Sequence, residues 1–276
     1  MLPYNLHVPD TVLQMDLCET YRLSFNFLSL KPCMRLPVQA PGKKRNRMKL
    51  IVIEGLDGAG KSTQIGMLNN WFAARGIECR YIHFPRTDAP WFGELIARFL
   101  RGDFGNLSQV DPYLVAMLYA GDRKEAAPVI KSWLEKKYHV ILDRYTYSNI
   151  AYQCAKISSP VEADKLRNWI LQLEFEHFAI PRPDINIFLD VPFRFTEEKL
   201  KNQRTGKDRS YLNGQNDIHE SSLDFQRKVH DVYLKVAATD KSLQVINCQS
   251  ADNEMLAAED IFKIIISKLK EKKILT

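Results

Sequence analysis

The sequence predicts an α/β fold built on a five-stranded parallel sheet with helices on both faces. Three observations predict it. From residue 48 onward, short apolar runs alternate with amphipathic stretches of helical length. The short runs are apolar nearly throughout instead of alternating with polar residues, as expected of strands covered on both faces. The first of them leads directly into a glycine-rich loop and then a helical pattern. A chain of 276 residues suits one domain of this kind.

The strands are expected at residues 49–54 (Lys49-Leu50-Ile51-Val52-Ile53-Glu54), 78–84, 139–143, 185–190 and 243–248. Helices are expected at 61–75, 91–101, 110–125, 128–137, 146–155, 161–178, 192–203, 219–238 and 253–271. Gly76 follows the first helix as a stop signal, and Pro112 and Pro128 sit where helices are expected to start. The helix at 219–238 carries Leu223, Phe225, Val229, Val232, Tyr233 and Val236 at core-packing spacings. His219 and Glu220 open it, as capping or lid contacts. There is no internal repeat and no low-complexity tract.

Hydrophobic residues make up 45% and charged residues 26%, enough apolar material for a globular core. No run approaches the ~18 apolar residues of a membrane span. The five cysteines (Cys18, Cys33, Cys79, Cys154, Cys248) show no ligand spacing and read as reduced packing residues of a cytoplasmic protein. The net charge of +6 is uneven. Residues 1–47 hold seven Lys/Arg against three acids, which leaves 32 against 30 for the rest. A nearly neutral domain offers no track for a nucleic-acid backbone. Residues 1–47 carry five prolines and end in the basic run Lys43-Lys44-Arg45-Asn46-Arg47. They read as a disordered extension or an upstream reading of the gene ahead of a start at Met48, with the domain occupying 48–276.

Gly55-Leu56-Asp57-Gly58-Ala59-Gly60-Lys61-Ser62-Thr63 fits GxxxxGK[ST] between a strand and a helix. Backbone N–H groups of such a loop curl around phosphate oxygens, and the helix N-terminus adds partial positive charge. Lys61 reaches the outer phosphates and the Ser62 hydroxyl suits Mg²⁺. These residues form a nucleotide triphosphate site. The pattern alone leaves ATPase, GTPase and kinase open. No base-reading NKxD segment of a GTPase is found. The third strand ends in Asp143 followed by Arg144-Tyr145, where a motor ATPase would carry paired acids. A carboxylate beside an arginine suits a site holding both Mg²⁺ and a second phosphate.

Four segments together resemble the thymidylate kinase family: Ile53 to Gln64 across the loop, Phe84-Pro85-Arg86, Leu118-Tyr119-Ala120-Gly121-Asp122-Arg123, and Asp143-Arg144-Tyr145-Thr146-Tyr147-Ser148. The resemblance implies a three-layer P-loop nucleoside monophosphate kinase fold with a mobile lid. It implies transfer of a phosphoryl group from ATP to dTMP with Mg²⁺. Arg144 would grip the dTMP phosphate, Asp57 would face the sugar, and Asp143 would organise metal and acceptor. Tyr119, where the family usually has Phe, would stack on thymine. Arg123 would donate to a thymine carbonyl. Ser148, Asn149 and Gln153 share a short helix where the family reads the base, with Gln153 the stronger choice. Phe84 and Arg86 would line the monophosphate pocket, and the loop 249–251 would pack on adenine.

The phosphate loop carries no basic residue at 56–59, so the remaining catalytic charge is expected from a lid at about 203–217. There Arg209 and Arg204 are the expected catalytic arginines, with Lys207 assisting. The resemblance also implies a homodimer with its face in regions 91–125 and 146–178. A different nucleoside or nucleotide kinase, and a nucleotide-switched regulatory protein, remain as rival readings.

Overall fold

A computed structural model describes residues 48–201, 211–212, 217–220 and 222–275. The extension 1–47 lies outside these residues, and so does the expected lid except for 211–212 and 217.

Five parallel strands form one sheet in the order β2-β3-β1-β4-β5. They are β1 (Leu50–Glu54), β2 (Cys79–His83), β3 (His139–Asp143), β4 (Ile185–Asp190) and β5 (Leu243–Asn247). Each expected strand is present to within one residue at either end. Strand alternation divides the core between the two faces. Ile51 and Ile53 join Ile141, Ile187 and Phe72 on one face, while Leu50 and Val52 join Val140, Leu142 and Ile130 on the other. These four β1 side chains are each 1% exposed or less, and burial of each contributes ~1.5–3 kcal/mol.

The helices are α1 (Lys61–Ala73), α2 (Phe92–Leu100), α3 (Pro112–Glu135), α4 (Thr146–Cys154), α5 (Pro160–Gln172), α6 (Phe193–Lys201), α7 (Leu223–Thr239) and α8 (Ala258–Glu271). The Asp111 side chain caps α3 by accepting from the Tyr113 and Leu114 N–H groups, with Pro112 opening the helix. Ser159 and Ser222 cap α5 and α7 in the same way.

Three expectations need correction. The stretches 110–125 and 128–137 are one helix, α3, with Pro128 in its interior. The proline removes one backbone hydrogen bond, but Ala126, Ala127 and Ile130 around it are buried against Val140 and Leu142. That packing keeps the helix running. The expected helix 161–178 is α5 continued by a π-helical turn at Leu173–His177. Finally, α7 and α8 begin later than expected: residues 218–220 form a turn ahead of α7, and α8 starts only at Ala258.

The carboxyl ends of the strands place Glu54, His83, Asp143 and Asp190 along one edge of the sheet. Ligands bind at that edge in open parallel sheets. No helix among the described residues is long and apolar enough to cross a membrane.

Gly121 marks a close approach between α2 and α3. A Cβ there would lie 2.2–2.4 Å from carbons of the Phe92 ring. Gly121→Ala is therefore expected to cost ~1–3 kcal/mol by overpacking, against the ~1 kcal/mol that alanine's helix propensity would contribute. Urea denaturation of the two proteins measures the difference.

Candidate active site

The loop after β1 takes the shape its glycines permit. Gly58 and Gly60 both hold φ of +79°, a conformation that costs other residues strain. This turn delivers the chain to the N-terminus of α1 with the Lys61, Ser62 and Thr63 amides in its first turn. The Lys61 ammonium folds back onto the carbonyls of Leu56 at 3.0 Å and Gly55 at 3.4 Å. A Cβ placed on Gly60 would lie 4.0 Å from Met255 Cε. The 249–255 segment, closed by a bridge between Gln249 and Met255, thus returns to the phosphate loop.

Asp143 ends β3 almost fully buried. Its Oδ2 lies 3.3 Å from His83 Nδ1. Burial alone would raise its pKa, but Lys61, His83 and Arg144 together hold it below the ordinary carboxylate value. Its Oδ1 is buried and has no hydrogen-bond partner among the described residues. A charged oxygen of this kind, together with the exposed Ser62 in the first turn of α1, fits Mg²⁺ held by few protein ligands and completed by substrate phosphates. No group of three or more metal-ligating side chains occurs among the described residues, so the protein alone supplies no complete cation cage there.

Arg144 joins the phosphate loop to the neighbouring cleft. Its backbone holds φ of +65°, an uncommon state for a residue with a side chain. Two bonds secure it: the Arg144 N–H donates to the Ile53 carbonyl at 2.9 Å, and the Tyr145 N–H donates to Glu54 Oε1 at 3.0 Å. The guanidinium donates to Asp57 Oδ1 at 2.8 Å, to the Tyr152 hydroxyl at 3.2 Å and to Ser148 Oγ at 3.1 Å. Asp57 is itself part of the phosphate loop.

Beside this junction lies a cleft of about 590 Å³, in the size range of small-molecule sites. All eight residues expected at the acceptor line it. They arrive from the segments that follow β1, β2 and β3 and from α3 and α4, and several are already engaged. Arg86 donates through Nε to Asp122 Oδ1 at 2.8 Å and through Nη2 to the Asp122 carbonyl at 2.9 Å. Arg123 forms a bidentate pair with Glu174, at 2.7 Å from Nε and 2.6 Å from Nη2, which leaves Nη1 outside that pair. Ser148 Oγ donates to Glu54 Oε2 and lies 2.7 Å from the Tyr233 hydroxyl. Phe84 is 1% exposed and packs on Tyr145. Tyr119 lines the cleft while packing on the Ile96, Phe99 and Leu100 cluster.

Gln153 is 1% exposed, and its Nε2 has no partner among the described residues. One turn earlier, Asn149 donates from Nδ2 to the Ala116 carbonyl and to Glu174 Oε1, both at 3.0 Å. Its Oδ1 is buried and without a partner among the described residues. α4 therefore carries one buried acceptor and one buried donor without partners among the described residues, four residues apart, on two residues that both line the cleft. Arg204, Lys207 and Arg209 lie outside the described residues.

Several important groups escaped the sequence reading. Glu54 and Glu174 are both 0% exposed and act as hubs. The first receives bonds from Tyr145, Ser148 and Tyr233, the second from Arg123, Thr146 and Asn149. An acid ending an apolar strand is a usable signal for Glu54. No local signal marks Glu174, whose partner Arg123 is 51 residues away. Asp217 also lines the cleft; burial, then the charges of Asp57 and Glu220, push it up to about 7. His219, expected to open a helix, is instead buried against Tyr152, Phe225 and Phe99, and burial takes it well below its ordinary value.

The thymidylate kinase family model matches residues 53–259. A probable thymidylate kinase of Pyrococcus abyssi is 34% identical over 221 residues, spanning 79% of this chain and 96% of that protein. The thymidylate kinase of Mycobacterium tuberculosis is 32% identical over 189 residues, spanning 68% of this chain and 86% of that protein. Among solved structures, a thymidylate kinase from Candida albicans superposes with a TM-score of 0.60 at 27% identity, covering 82% of this chain and 93% of that one.

Glu174→Ala would leave the Arg123 charge buried without its partner. It is expected to cost ~3–5 kcal/mol in chemical denaturation, while replacing both residues by leucine or methionine costs less than that single change.

Proposed function

We infer that this chain, which belongs to the thymidylate kinase family, phosphorylates dTMP to dTDP at the expense of ATP, and that the Arg144–Asp57 junction is where donor and acceptor meet. The observation carrying this reading is the position of Arg144. It pairs with a residue of the phosphate loop at 2.8 Å and lines the cleft that gathers every expected acceptor residue.

On this reading the triphosphate lies along the Gly55–Thr63 amides, with Lys61 at its outer phosphates. Ser62 and Asp143 would hold Mg²⁺, which when bound supplies positive charge across the transferring phosphoryl group. Arg144 holds the dTMP phosphate in line with the donor, and its fork suits paired oxygens. No nucleophilic side chain is required, because a phosphate oxygen of dTMP is the attacking atom and the chain's work is positioning and charge.

For the base, Tyr119 offers a ring to stack on. Thymine carries an N3–H donor next to a C4 carbonyl acceptor, which Asn149 Oδ1 and Gln153 Nε2 complement. Arg123 Nη1 remains for a carbonyl. The loop carries no cation at positions 56–59, so the lid arginines Arg209 and Arg204, assisted by Lys207, complete the charge on closure and exclude water. The reading includes a cytoplasmic homodimer, supported by the exposed Leu114 and Met117 of α3 and Val161 of α5.

Coupled ADP release with Mg·ATP, offering dTMP, dUMP, thymidine and dCMP separately, tests the assignment. Turnover with dTMP is expected, with kcat/KM falling ~10²–10³-fold in Arg144→Ala and kcat falling by a similar factor in Arg209→Ala. Turnover of thymidine or dCMP in place of dTMP would keep the phosphate loop and overturn the base pocket.

A further inference from the structure

An amide side chain has a donor end and an acceptor end, and nothing intrinsic decides which faces a ligand. In the cleft the surroundings decide. The Asn149 amide is fixed by two acceptors behind it, the Ala116 carbonyl and Glu174 Oε1. Only its NH₂ can satisfy them, so Oδ1 is left without a partner among the described residues, on a residue that lines the cleft. Gln153 is fixed by the opposite kind of neighbour. Lys156, just beyond the end of α4, sends its Nζ to Gln153 Oε1 at 2.8 Å. Burial pushes the Lys156 amine down to about 7, and in its charged form it can only donate, so the oxygen faces it and Nε2 turns the other way. Gln153 is 1% exposed and lines the cleft, and that Nε2 has no partner among the described residues.

Lys156 itself is not among the residues lining the cleft. It is half-buried, with Nζ 4.7 Å from the centre of the Phe99 ring. It also contributes to the low pKa of His219. No ion pair to Lys156 occurs among the described residues. A lysine on this shelf, whose amine meets one amide oxygen and one ring, has a narrow task.

We propose that Lys156 is a specificity-determining positioning residue, which fixes the Gln153 amide from behind so that the cleft selects a 4-oxo over a 4-amino pyrimidine. The chemistry is a matched pair of polarities. A 4-oxo pyrimidine brings N3–H to the Asn149 oxygen and its C4 carbonyl to the Gln153 nitrogen. Cytosine brings a bare N3 and an amino group, which are mismatched at both positions. Were Gln153 free to flip, its oxygen would accept the cytosine amino group and half of the discrimination would vanish. The inference rests on the dTMP reading above and extends it to a residue outside the ligand's reach.

The test is a competition: equimolar dTMP and dCMP with Mg·ATP, reading the ratio of the two diphosphates formed by the full chain and by two variants. Lys156→Met keeps the length and apolar stem but cannot donate. Its dTMP:dCMP product ratio is expected to fall about tenfold, the scale of one mispaired hydrogen bond, with the KM for ATP unchanged. Lys156→Arg keeps only donors and is expected to hold the ratio within about threefold, a rescue that a packing role at this position would not produce. An unchanged ratio in Lys156→Met, or an equal loss in Lys156→Arg, overturns the proposal while leaving the dTMP assignment intact. Failure of the unaltered chain to turn over dTMP would overturn that assignment and this inference with it.

Discussion

Glu54 ends the central strand with no exposed surface, and it spends both carboxylate oxygens on the segment that follows β3. One oxygen accepts the Tyr145 and Ser148 N–H groups, and the other accepts the Ser148 and Tyr233 hydroxyls. Burial raises its pKa, and the surrounding donors and the Arg144 charge oppose the rise. A buried carboxylate so surrounded cannot lose one donor without leaving an oxygen unsatisfied. The constraint therefore fixes the left-handed turn at Arg144, the first turn of α4 and the inner face of α7 together. Arg144 can point at the phosphate loop because Glu54 holds its backbone in a conformation it would not otherwise choose.

Glu174 performs the corresponding task one layer further out. Its two oxygens collect Arg123 from α3 and Thr146 and Asn149 from α4. The two hubs share α4, whose nine residues are all buried. A helix buried all round would ordinarily be apolar, yet α4 carries Thr146, Ser148, Asn149 and Gln153. These polar groups are tolerable because Glu174, Glu54 and Lys156 each satisfy part of them. What remains unsatisfied belongs to Asn149 and Gln153, which both line the cleft. The surplus hydrogen-bonding capacity of α4 is thus concentrated where a base would bind, and the rigidity behind it gives that capacity a definite polarity.

The sheet was legible because buried parallel strands leave an unmistakable pattern. Leu50–Ile53, Val140–Leu142 and Ile187–Leu189 are apolar runs with little else to be. The phosphate loop was legible because its glycines serve a local backbone need. Pro128 misled, since a proline is read as a boundary from sequence alone, whereas here the packing of Ala126, Ala127 and Ile130 outweighs one missing hydrogen bond. The family motifs identified the residues that gather at the cleft, but they gave no account of how those residues are held. Glu174, Tyr233 and Lys156 meet their partners through tertiary contacts or through an orientation of an amide, and neither leaves a periodic trace. Arg123 is the clearest case: its motif marks it as a ligand-facing cation, while its contacts make it half of a buried ion pair.

The electrostatics of the junction explain why a fixed site is not sufficient for transfer. Among the described residues, Lys61, His83 and Arg144 act on Asp143 from the loop and the cleft. Arg144 is already balanced by Asp57, and Lys61 is turned toward backbone carbonyls. The acids Asp57, Asp143 and Asp217 lie close by, and Asp57 and Glu220 help drive Asp217 to about 7. A site this rich in carboxylates repels two phosphorylated substrates until more positive charge arrives. On the proposed reading, Mg²⁺ at Asp143 would answer part of that demand and the basic residues of 204–209 the rest. Were those cations to arrive with the substrates or with closure, the charge complementary to the transferring group would be assembled only when both nucleotides are in place. Such an arrangement favours transfer to the acceptor over transfer to water.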